Sequence, residues 1–405
     1  MSLPTLLRSR FGGLGSPFWA LMAGLFLNRA GQFVQPMLVW WLTGAQGMSL
    51  TEAGGVVSIY GLGGAVGMLA GGVVADRLGR KVALLISSLG AMVFLLLLPM
   101  AAGPAAIVLG AAALAFTYDL HRPAVQAMVA DLVPPADRLR AYALTYVTVN
   151  LGFAVAPALA GVLAESDVSA PFFAAAATQA LWAFFVWRRL PETRPAPSSS
   201  DPPEGGLGEV LADTTYLRWL LAIGLSSLLP FQAFVVLAAW MKQEGLQPST
   251  FGAILGLNGV LIVLIQPWVA PWVARHDPVR TQAFAFALQG VGFALHGLGL
   301  GVPGHLVAVM VWTAGEILAA PVTSAVVARL APVHLRGRYQ GLLGTTFGLA
   351  GMLGPAGGAA ILDHFGGWIW PVCLALGLTS AAVMLRQGPR LRARFAAQTE
   401  AAAPA

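Results

Sequence analysis

Twelve apolar stretches follow one another along this chain, and each is long enough to cross a lipid bilayer. A bilayer core about 30 Å thick needs roughly 20 apolar residues in a helix. On that measure the spans, numbered 1 to 12 in chain order, lie near residues 18–42, 51–75, 82–100, 105–130, 141–163, 170–186, 217–241, 250–274, 281–300, 306–329, 339–362 and 368–385. Only 10% of the residues are charged, against about 25% in soluble domains. The chain is therefore predicted to be an all-α integral membrane protein.

Lysine and arginine are distributed unevenly among the turns between the spans. The turns after odd-numbered spans hold a single basic residue, Lys242, and nearly all the others lie in the N-terminal segment, the turns after even-numbered spans and the C-terminal tail. By the positive-inside rule, both termini are predicted to be cytoplasmic, in the plasma (inner) membrane. The net charge of +6 then reflects membrane topology, and no nucleic-acid partner is expected.

The two halves of the sequence match one another. A displacement of 198 residues places Pro123 on Pro321, Pro134 on Pro332, Pro157 on Pro355, Arg138 on Arg336 and Arg140 on Arg338. This register predicts a duplicated six-helix bundle, at 1–189 and 214–386, joined by a Pro- and Ser-rich cytoplasmic linker at 190–213 and followed by a basic cytoplasmic tail at 387–405. Transporters built from repeats bind their substrates at the repeat interface.

The turn between spans 2 and 3 carries the most specific motif. It contains Gly72-Val73-Val74-Ala75-Asp76-Arg77-Leu78-Gly79-Arg80-Lys81, and it resembles at every position the signature loop Gly-x-x-x-Asp-Arg-x-Gly-Arg-Lys of the major facilitator superfamily. The resemblance implies that family's fold, with 12 transmembrane helices arranged as two pseudo-twofold-related six-helix bundles. It also implies a gating role for Gly72, Asp76, Arg77, Gly79, Arg80 and Lys81. The alternative is an ordinary basic loop without a role in gating.

The ionisable residues deep in the predicted spans include Arg29, Asp119, Arg122 and Glu316. Charges at that depth are costly, so they usually face a cavity or a partner, and the resemblance implies that spans 1, 4, 7 and 10 line a central cavity. We expect these four to serve proton coupling. Asp119 has two possible partners, Arg29 on span 1 and Arg122 three residues away, and a purely structural ion pair is the alternative.

Glu316 shares span 10 with no basic residue before Arg329, which makes it the first candidate for the coupling proton. Its alternatives are a hydrogen bond to a neighbouring helix and the selection of a cationic substrate. His296 is expected to be structural. Polar side chains that could contact substrate are Asn28, Gln32, Gln35, Tyr118 and Gln232; interhelical hydrogen bonds are their alternative role.

Two weaker matches favour export. Arg122-Pro123-Ala124-Val125-Gln126 loosely resembles a span-4 motif of drug-efflux relatives, and Ala156-Pro157-Ala158-Leu159-Ala160-Gly161 partly resembles an antiporter motif of span 5. The sequence thus predicts a secondary active transporter that works by alternating access, with proton-coupled efflux of small organic molecules as the first hypothesis. A proton-coupled uptake symporter for a sugar or metabolite is the alternative, and a membrane-embedded enzyme or a receptor is a remote one.

No enzymatic activity, metal site or organic cofactor is expected, and the driving force would be the proton gradient. The sequence contains no ATP-binding motif of the Gly-rich type, and its single cysteine, Cys373, excludes an internal disulfide. The expected partners are a small-molecule substrate and the lipid bilayer, and the expected functional unit is a monomer.

Overall fold

The computed structural model describes residues 14–134, 137–194, 207–273, 275–332 and 335–401. Regular secondary structure in these ranges is helical throughout. Helices α1 to α8 are Ser16–Ala30, Val34–Gly44, Leu50–Leu78, Arg80–Leu97, Pro104–Asp119, His121–Leu132, Arg138–Ser166 and Ala170–Arg189. Helices α9 to α16 are Leu207–Ala212, Thr214–Gln232, Val236–Gln243, Pro248–Val273, Pro278–Leu295, Gly301–Leu330, Arg336–Phe365 and Ile369–Ala401.

Within the described ranges, nine helical segments are long and apolar enough to cross a membrane, which is consistent with the twelve predicted spans. One of the nine, Arg338–Ala396, holds spans 11 and 12, which are the separate helices α15 and α16. Span 1 is missing from the nine because it is divided into α1 and α2. Span 9 corresponds to α13, an 18-residue helix with Arg280 in its first turn. The chain is therefore a multi-pass membrane protein.

The predicted linker and tail contain more helix than expected. Half of the linker, residues 195–206, and the last four residues of the tail lie outside the described residues, but α9 is helical and α16 continues through the tail to Ala401. The tail is rich in arginine and alanine, which are strong helix formers, so α16 does not end where the apolar span ends. The domain boundaries stay a prediction.

The chain forms two compact units. Unit 1 comprises residues 1–48, 59–199 and 247–259, and unit 2 comprises 49–58, 200–246 and 260–405. Each has its own apolar core, which includes Phe18 and Trp182 in unit 1 and Trp219 and Phe286 in unit 2. Large apolar side chains also cover the outside; Trp268, for example, is 79% exposed. Such a surface is stable only against lipid.

The 198-residue repeat is also present in the contacts. In unit 2 the Thr51 hydroxyl donates to Asp363 Oδ2 over 2.6 Å, and in unit 1 the Ser249 hydroxyl donates to Glu165 Oε1. Thr51 and Ser249 differ by 198 positions, and so do Glu165 and Asp363. Beside each hydroxyl, a glycine in the same helix meets a proline carbonyl: Gly54 meets Pro355, and Gly252 meets Pro157. The two halves thus build the same hydroxyl–carboxylate contact, as duplication requires.

Spans 1 and 4 are each interrupted near the middle. Span 1 stops at Ala30 and resumes at Val34, and span 4 stops at Asp119 and resumes at His121. A proline follows each break, Pro36 and Pro123. A proline ring clashes with the carbonyl four residues earlier and cannot donate to it, and the residues four positions before these prolines lie at the breaks. The two prolines therefore favour these interruptions, although Pro321, the repeat counterpart of Pro123, lies inside the unbroken helix α14.

Candidate functional site: a charged cluster at two helix breaks

The breaks in spans 1 and 4 place polar residues together inside unit 1. Asn28 and Arg29 lie in the last turn of α1, and Asp119 and Arg122 flank the break between α5 and α6. Interrupted helices expose backbone polar groups, which are tolerated at membrane depth only inside protein or beside a cavity. Charges at such breaks are characteristic of transporter binding sites.

Asp119 pairs with Arg122 and not with Arg29. Arg122 Nε donates to Asp119 Oδ1 over 2.6 Å, and the two side chains are 43% and 22% exposed. Gly64 on α3 supplies no side chain beside this carboxylate, and any side chain there would collide with Asp119 Oδ2. Of the two partners that the sequence allowed, the structure therefore selects the local one, three residues away on the same helical face.

Arg29 instead lies in a chain of amide side chains. Its Nη1 donates to Gln32 Oε1 over 2.8 Å, and Asn28 Nδ2 donates to Gln179 Oε1 over 3.4 Å. The Arg29 Nε is buried and has no hydrogen-bond partner among the described residues. The charges of Asp119 and Arg122 nevertheless act on this guanidinium. The cluster, defined as Arg29, Asp119 and Arg122, contains two positive charges and one negative charge.

Aromatic and imidazole groups enclose the cluster. Tyr118 is 4% exposed and His121 is 1% exposed, and the His121 ring is hydrogen-bonded through Nδ1 to the Tyr118 carbonyl. Tyr60 on α3 lies within electrostatic reach of Arg29. Tyr118, a predicted substrate contact, is thus one of the residues around the cluster, together with His121 and Tyr60.

The remaining predicted substrate and proton residues lie elsewhere. Gln35 is partly buried on α2. Gln232 belongs to unit 2, where its Nε2 donates to the carbonyls of Leu228 and Gly354 over 2.9 and 3.1 Å, so it serves as an interhelical tie. Glu316 is also in unit 2, partly buried on α14, and it interacts with other groups.

The signature loop is a one-residue connection in unit 1. Helix α3 ends at Leu78 and α4 begins at Arg80, and Gly79 between them has φ +114°, a conformation that is essentially restricted to glycine. Arg80 Nη1 donates to Asp76 Oδ1 over 3.3 Å, and its Nε donates to Asp131 Oδ2 over 3.2 Å. Asp76 itself is 74% exposed.

Three hydrogen-bond partners of the predicted site residues were missed from the sequence. Glu192 accepts hydrogen bonds from the backbone N–H groups of Arg80 and Lys81, over 2.8 and 3.1 Å; Asp131 binds Arg80; and Gln179 binds Asn28. The first two anchor the signature loop, and the third extends the amide chain. They lie 112, 51 and 151 residues from those partners, so local patterns could not find them. The sequence signal for Glu192 was its position shortly after span 6, as an acidic residue on the same predicted side of the membrane as the basic signature loop.

Helical bundles with interrupted helices and charges at the breaks are typical of membrane transporters. The family model described as Major Facilitator Superfamily matches residues 21–316 and 219–405. The chain belongs to the major facilitator superfamily, and its substrates are accordingly small molecules.

Two relatives and one solved structure illustrate the similarity. The chain is 24% identical to a Na(+), Li(+), K(+)/H(+) antiporter of Planococcus maritimus, over 90% of this chain and 94% of that protein. It is 25% identical to the class B tetracycline resistance protein of Escherichia coli, over 75% and 78%. A crystal structure of a POT family transporter with a thioalcohol-conjugated peptide has TM-score 0.79 and 15% identity, covering 94% of this chain and 97% of that one; at that identity the likeness concerns the fold.

Proposed function

We propose that this protein is a proton-coupled antiporter that exports small organic molecules by alternating access, and that the Arg29–Asp119–Arg122 cluster is where substrate and proton compete. The observation that carries the proposal is the Asp119 carboxylate, held by Arg122 at the break in span 4. The names of the two relatives support it, since one is an H⁺ antiporter and the other a resistance protein.

The net charge of the cluster explains why substrate and proton would compete. With Asp119 ionised, the cluster has a net charge of +1; with Asp119 protonated, the net charge is +2. The cluster repels a cationic or amphipathic substrate less while the carboxylate is negative, because like charges in a low dielectric repel strongly. Substrate and proton then exclude one another from Asp119, and this exclusion is what antiport requires.

Uptake by symport is the second candidate, and one observation favours it. The Arg29 Nε is buried without a partner among the described residues, and an anionic substrate could accept its hydrogen bond. An anion would bind better when Asp119 is protonated, so the substrate and the proton would travel together. The sign of the substrate charge therefore separates antiport from symport.

The test uses purified protein in liposomes and a panel of cationic, neutral and anionic organic solutes, with and without an imposed pH gradient. Antiport predicts that a cationic substrate accumulates when the lumen is acidic. The Asp119→Asn variant should lose gradient-driven accumulation of the cationic substrate, because its cluster keeps a net charge of +2 at every pH. Asp167→Asn, in an exposed turn where the carboxylate accepts the Ser169 N–H, serves as the matched control and should transport normally.

Glu316→Gln tests the second carboxylate in the same assay. If Glu316→Gln, and not Asp119→Asn, abolishes the response to the pH gradient, the coupling proton belongs to unit 2 and the competition model fails. A gradient response that persists in both variants would also contradict it.

The proposal includes the membrane and the topology. The protein would act as a monomer in the cytoplasmic membrane, with both termini in the cytoplasm, as the distribution of basic residues predicts. A cysteine introduced into the C-terminal tail should react with a membrane-impermeant maleimide only in inside-out vesicles. Labelling in right-side-out vesicles would reverse the proposed orientation.

A further inference from the structure

Two histidines and a glutamate form a hydrogen-bonded chain inside unit 2, away from the residues assigned to transport above. His296 follows α13, His305 lies in the first turns of α14, and Glu244 follows α11. The His296 and His305 Nδ1 atoms are 2.8 Å apart, and His305 Nε2 is 2.8 Å from Glu244 Oε2. The two rings are buried, with 1% and 2% exposure, whereas the Glu244 side chain is 23% exposed. The chain therefore runs from the interior towards water.

A metal site does not account for this arrangement. Two imidazoles that share a zinc ion each lie about 2.0–2.1 Å from it, which puts their nitrogens farther apart than 2.8 Å. No group of metal-ligating side chains occurs among the described residues. The direct N···N contact instead requires one proton between the rings, since one nitrogen must donate and the other accept.

A purely structural hydrogen-bond chain does not account for it either. His296 Nε2, at the inner end, is buried and has no hydrogen-bond partner in the described part of the chain. An unpaired buried polar atom costs about 1–3 kcal/mol, and an apolar residue at position 296 would avoid that cost. The rings that pack on His296 belong to Trp370 and Phe293, and neither can be charged.

Apart from Lys242, the other ionisable groups on the surrounding helices are remote or already paired. Lys242 lies two positions before Glu244 on α11, Glu316 is about three turns beyond His305 on α14, and Arg280 lies at the far end of α13. On α16 the first titratable group after Trp370 is the buried Cys373. At the end of α15, Asp363 accepts from Thr51 and His364 bonds to the Ala360 carbonyl. The proton balance of the chain therefore concerns its three members.

We propose that Glu244, His305 and His296 form a proton-binding site that takes up one proton and passes it between the interior of unit 2 and water. In the empty state, His305 Nε2–H donates to the Glu244 carboxylate and His296 Nδ1–H donates to His305 Nδ1. The chain then carries a charge of −1, located on the partly exposed carboxylate, and His296 Nε2 presents a lone pair.

Uptake of a proton at His296 Nε2 shifts both shared protons outward. A new N–H bond forms at His296 Nε2, the proton on His296 Nδ1 passes to His305 Nδ1, and the proton on His305 Nε2 passes to Glu244. The product is a neutral glutamic acid and two neutral histidines, so the total charge rises from −1 to 0. No imidazolium remains in the apolar interior, where a charge would be costly. Loss of the Glu244 proton to water leaves His296 protonated on Nε2 and His305 on Nδ1, and both rings must return to the empty-state tautomers before the next proton is taken up.

The site is independent of the proposed role of Asp119, since it lies in unit 2 and its proton balance involves no substrate. It also makes an unusual spectroscopic prediction. In the empty state His296 carries its proton on Nδ1 and His305 on Nε2; in the loaded state the two tautomers are exchanged. Ordinary histidines titrate differently, because they become imidazolium with both nitrogens protonated.

The experiment is ¹⁵N-histidine NMR of the full-length protein in lipid nanodiscs, from about pH 9 to about pH 4. We expect both rings to exchange tautomers together, in one step with one midpoint. His364, which bonds to a backbone carbonyl on its own helix, is the internal reference and should become imidazolium; His364→Gln assigns its signal and should leave the paired step unchanged.

Glu244→Gln sharpens the test, because proton uptake would then leave a net positive charge inside unit 2. The joint step should disappear, and protonation of either ring should move to lower pH, with about tenfold or greater loss of proton affinity. Two rings that keep fixed tautomers throughout, or that become imidazolium independently as His364 does, would overturn the proposal. The wild-type spectra decide this even if the variant does not fold.

Discussion

In unit 1 the carboxylate that caps the first turn of α4 comes from Glu192, 112 residues further along the chain. In unit 2 the corresponding helix is α13, and its cap is Asp277, the residue directly before it, which accepts the N–H groups of Val279 and Arg280 over 2.8 and 3.3 Å. Asp277 stands 198 positions after Gly79, so the repeat has replaced a glycine by a capping aspartate.

The side chain supplied by the segment after the sixth span also has opposite charge in the two repeats. In unit 1 this segment supplies the acidic Glu192 to a basic loop. In unit 2 it supplies Arg392, whose Nε donates to Asp277 Oδ2 over 2.7 Å. Both repeats thus tie the end of their last span to the start of their third span. Only unit 1 does so through a glycine with positive φ and a network of distant residues. Unit 2 retains this connection through Arg392, and its helix cap is the local residue Asp277.

The largest effect should come from Arg80, which joins the two sides of the signature loop. Arg80 is 9% exposed and donates to Asp76, Asp131 and the Ala75 carbonyl. Arg80→Ala should lower the free energy of unfolding by about 3 kcal/mol, because it leaves partly buried acceptors unpaired. The control is Arg280→Ala, which removes an exposed arginine from the other loop and should cost at most about 0.5 kcal/mol. Melting temperatures in detergent measure both variants. Equal losses of stability would show that the two loops do not differ in the way described.

Gly79→Ala should have the next largest effect. Its φ of +114° is strained for any residue with a Cβ, and that Cβ would meet the Glu192 carboxylate. The expected loss is about 2 kcal/mol. Gly72→Ala in the same motif is the matched control, since no atom lies within 4 Å of a Cβ built there; alanine should be neutral or stabilise the helix by up to about 1 kcal/mol. If both variants lose stability equally, the turn does not depend on the conformation of Gly79.

Removing the cap of unit 2 should have a smaller effect. Asp277→Ala deletes a local N-cap, which typically contributes about 1 kcal/mol. The Arg392 and Asp277 side chains are 44% and 30% exposed, so Arg392→Ala should cost only about 0.5 kcal/mol. Urea or thermal unfolding of the single and double variants gives their coupling. A coupling energy larger than the contribution expected of the cap would mean that the ion pair, and not the cap, stabilises this loop.

The smallest effect is a pH dependence of stability, which both capping carboxylates, Glu192 and Asp277, should share. Burial alone would raise the pKa of Glu192, but backbone N–H bonds from Arg80, Arg194, Thr193 and Lys81 outweigh it and lower the pKa. Since the folded pKa lies below the ordinary value of 4.5, the stabilisation is present above that pH and is lost as the pH falls through the lowered pKa. The difference in melting temperature between wild type and Glu192→Gln should therefore shrink on acidification from neutral pH. A difference that grows would reverse the sign of the argument.

Span positions, the basic loop and the duplication followed from the sequence because each depends on local composition or on a fixed register. Asp119 and Arg122 were found for the same reason, since a charge inside an apolar run is visible without knowing its neighbours. The breaks were not predicted, although Pro36 and Pro123 lie just after them, because hydropathy averages over a whole span. Glu192 and the His296–His305–Glu244 chain depend on contacts between separate helices, which no local pattern records. His296 was expected to be structural, and its position at the inner end of that chain came only from the fold.

The most direct test of the central claim, that substrate and proton compete for one carboxylate, is the pH dependence of substrate affinity in the absence of any gradient. Binding of a cationic substrate to wild-type protein in nanodiscs should weaken as the pH falls and should release a proton from the protein into weakly buffered solution. In Asp119→Asn the affinity should no longer depend on pH, and no proton should be released. Undiminished proton release by Asp119→Asn, or affinity in the wild type that does not change with pH, would contradict the account.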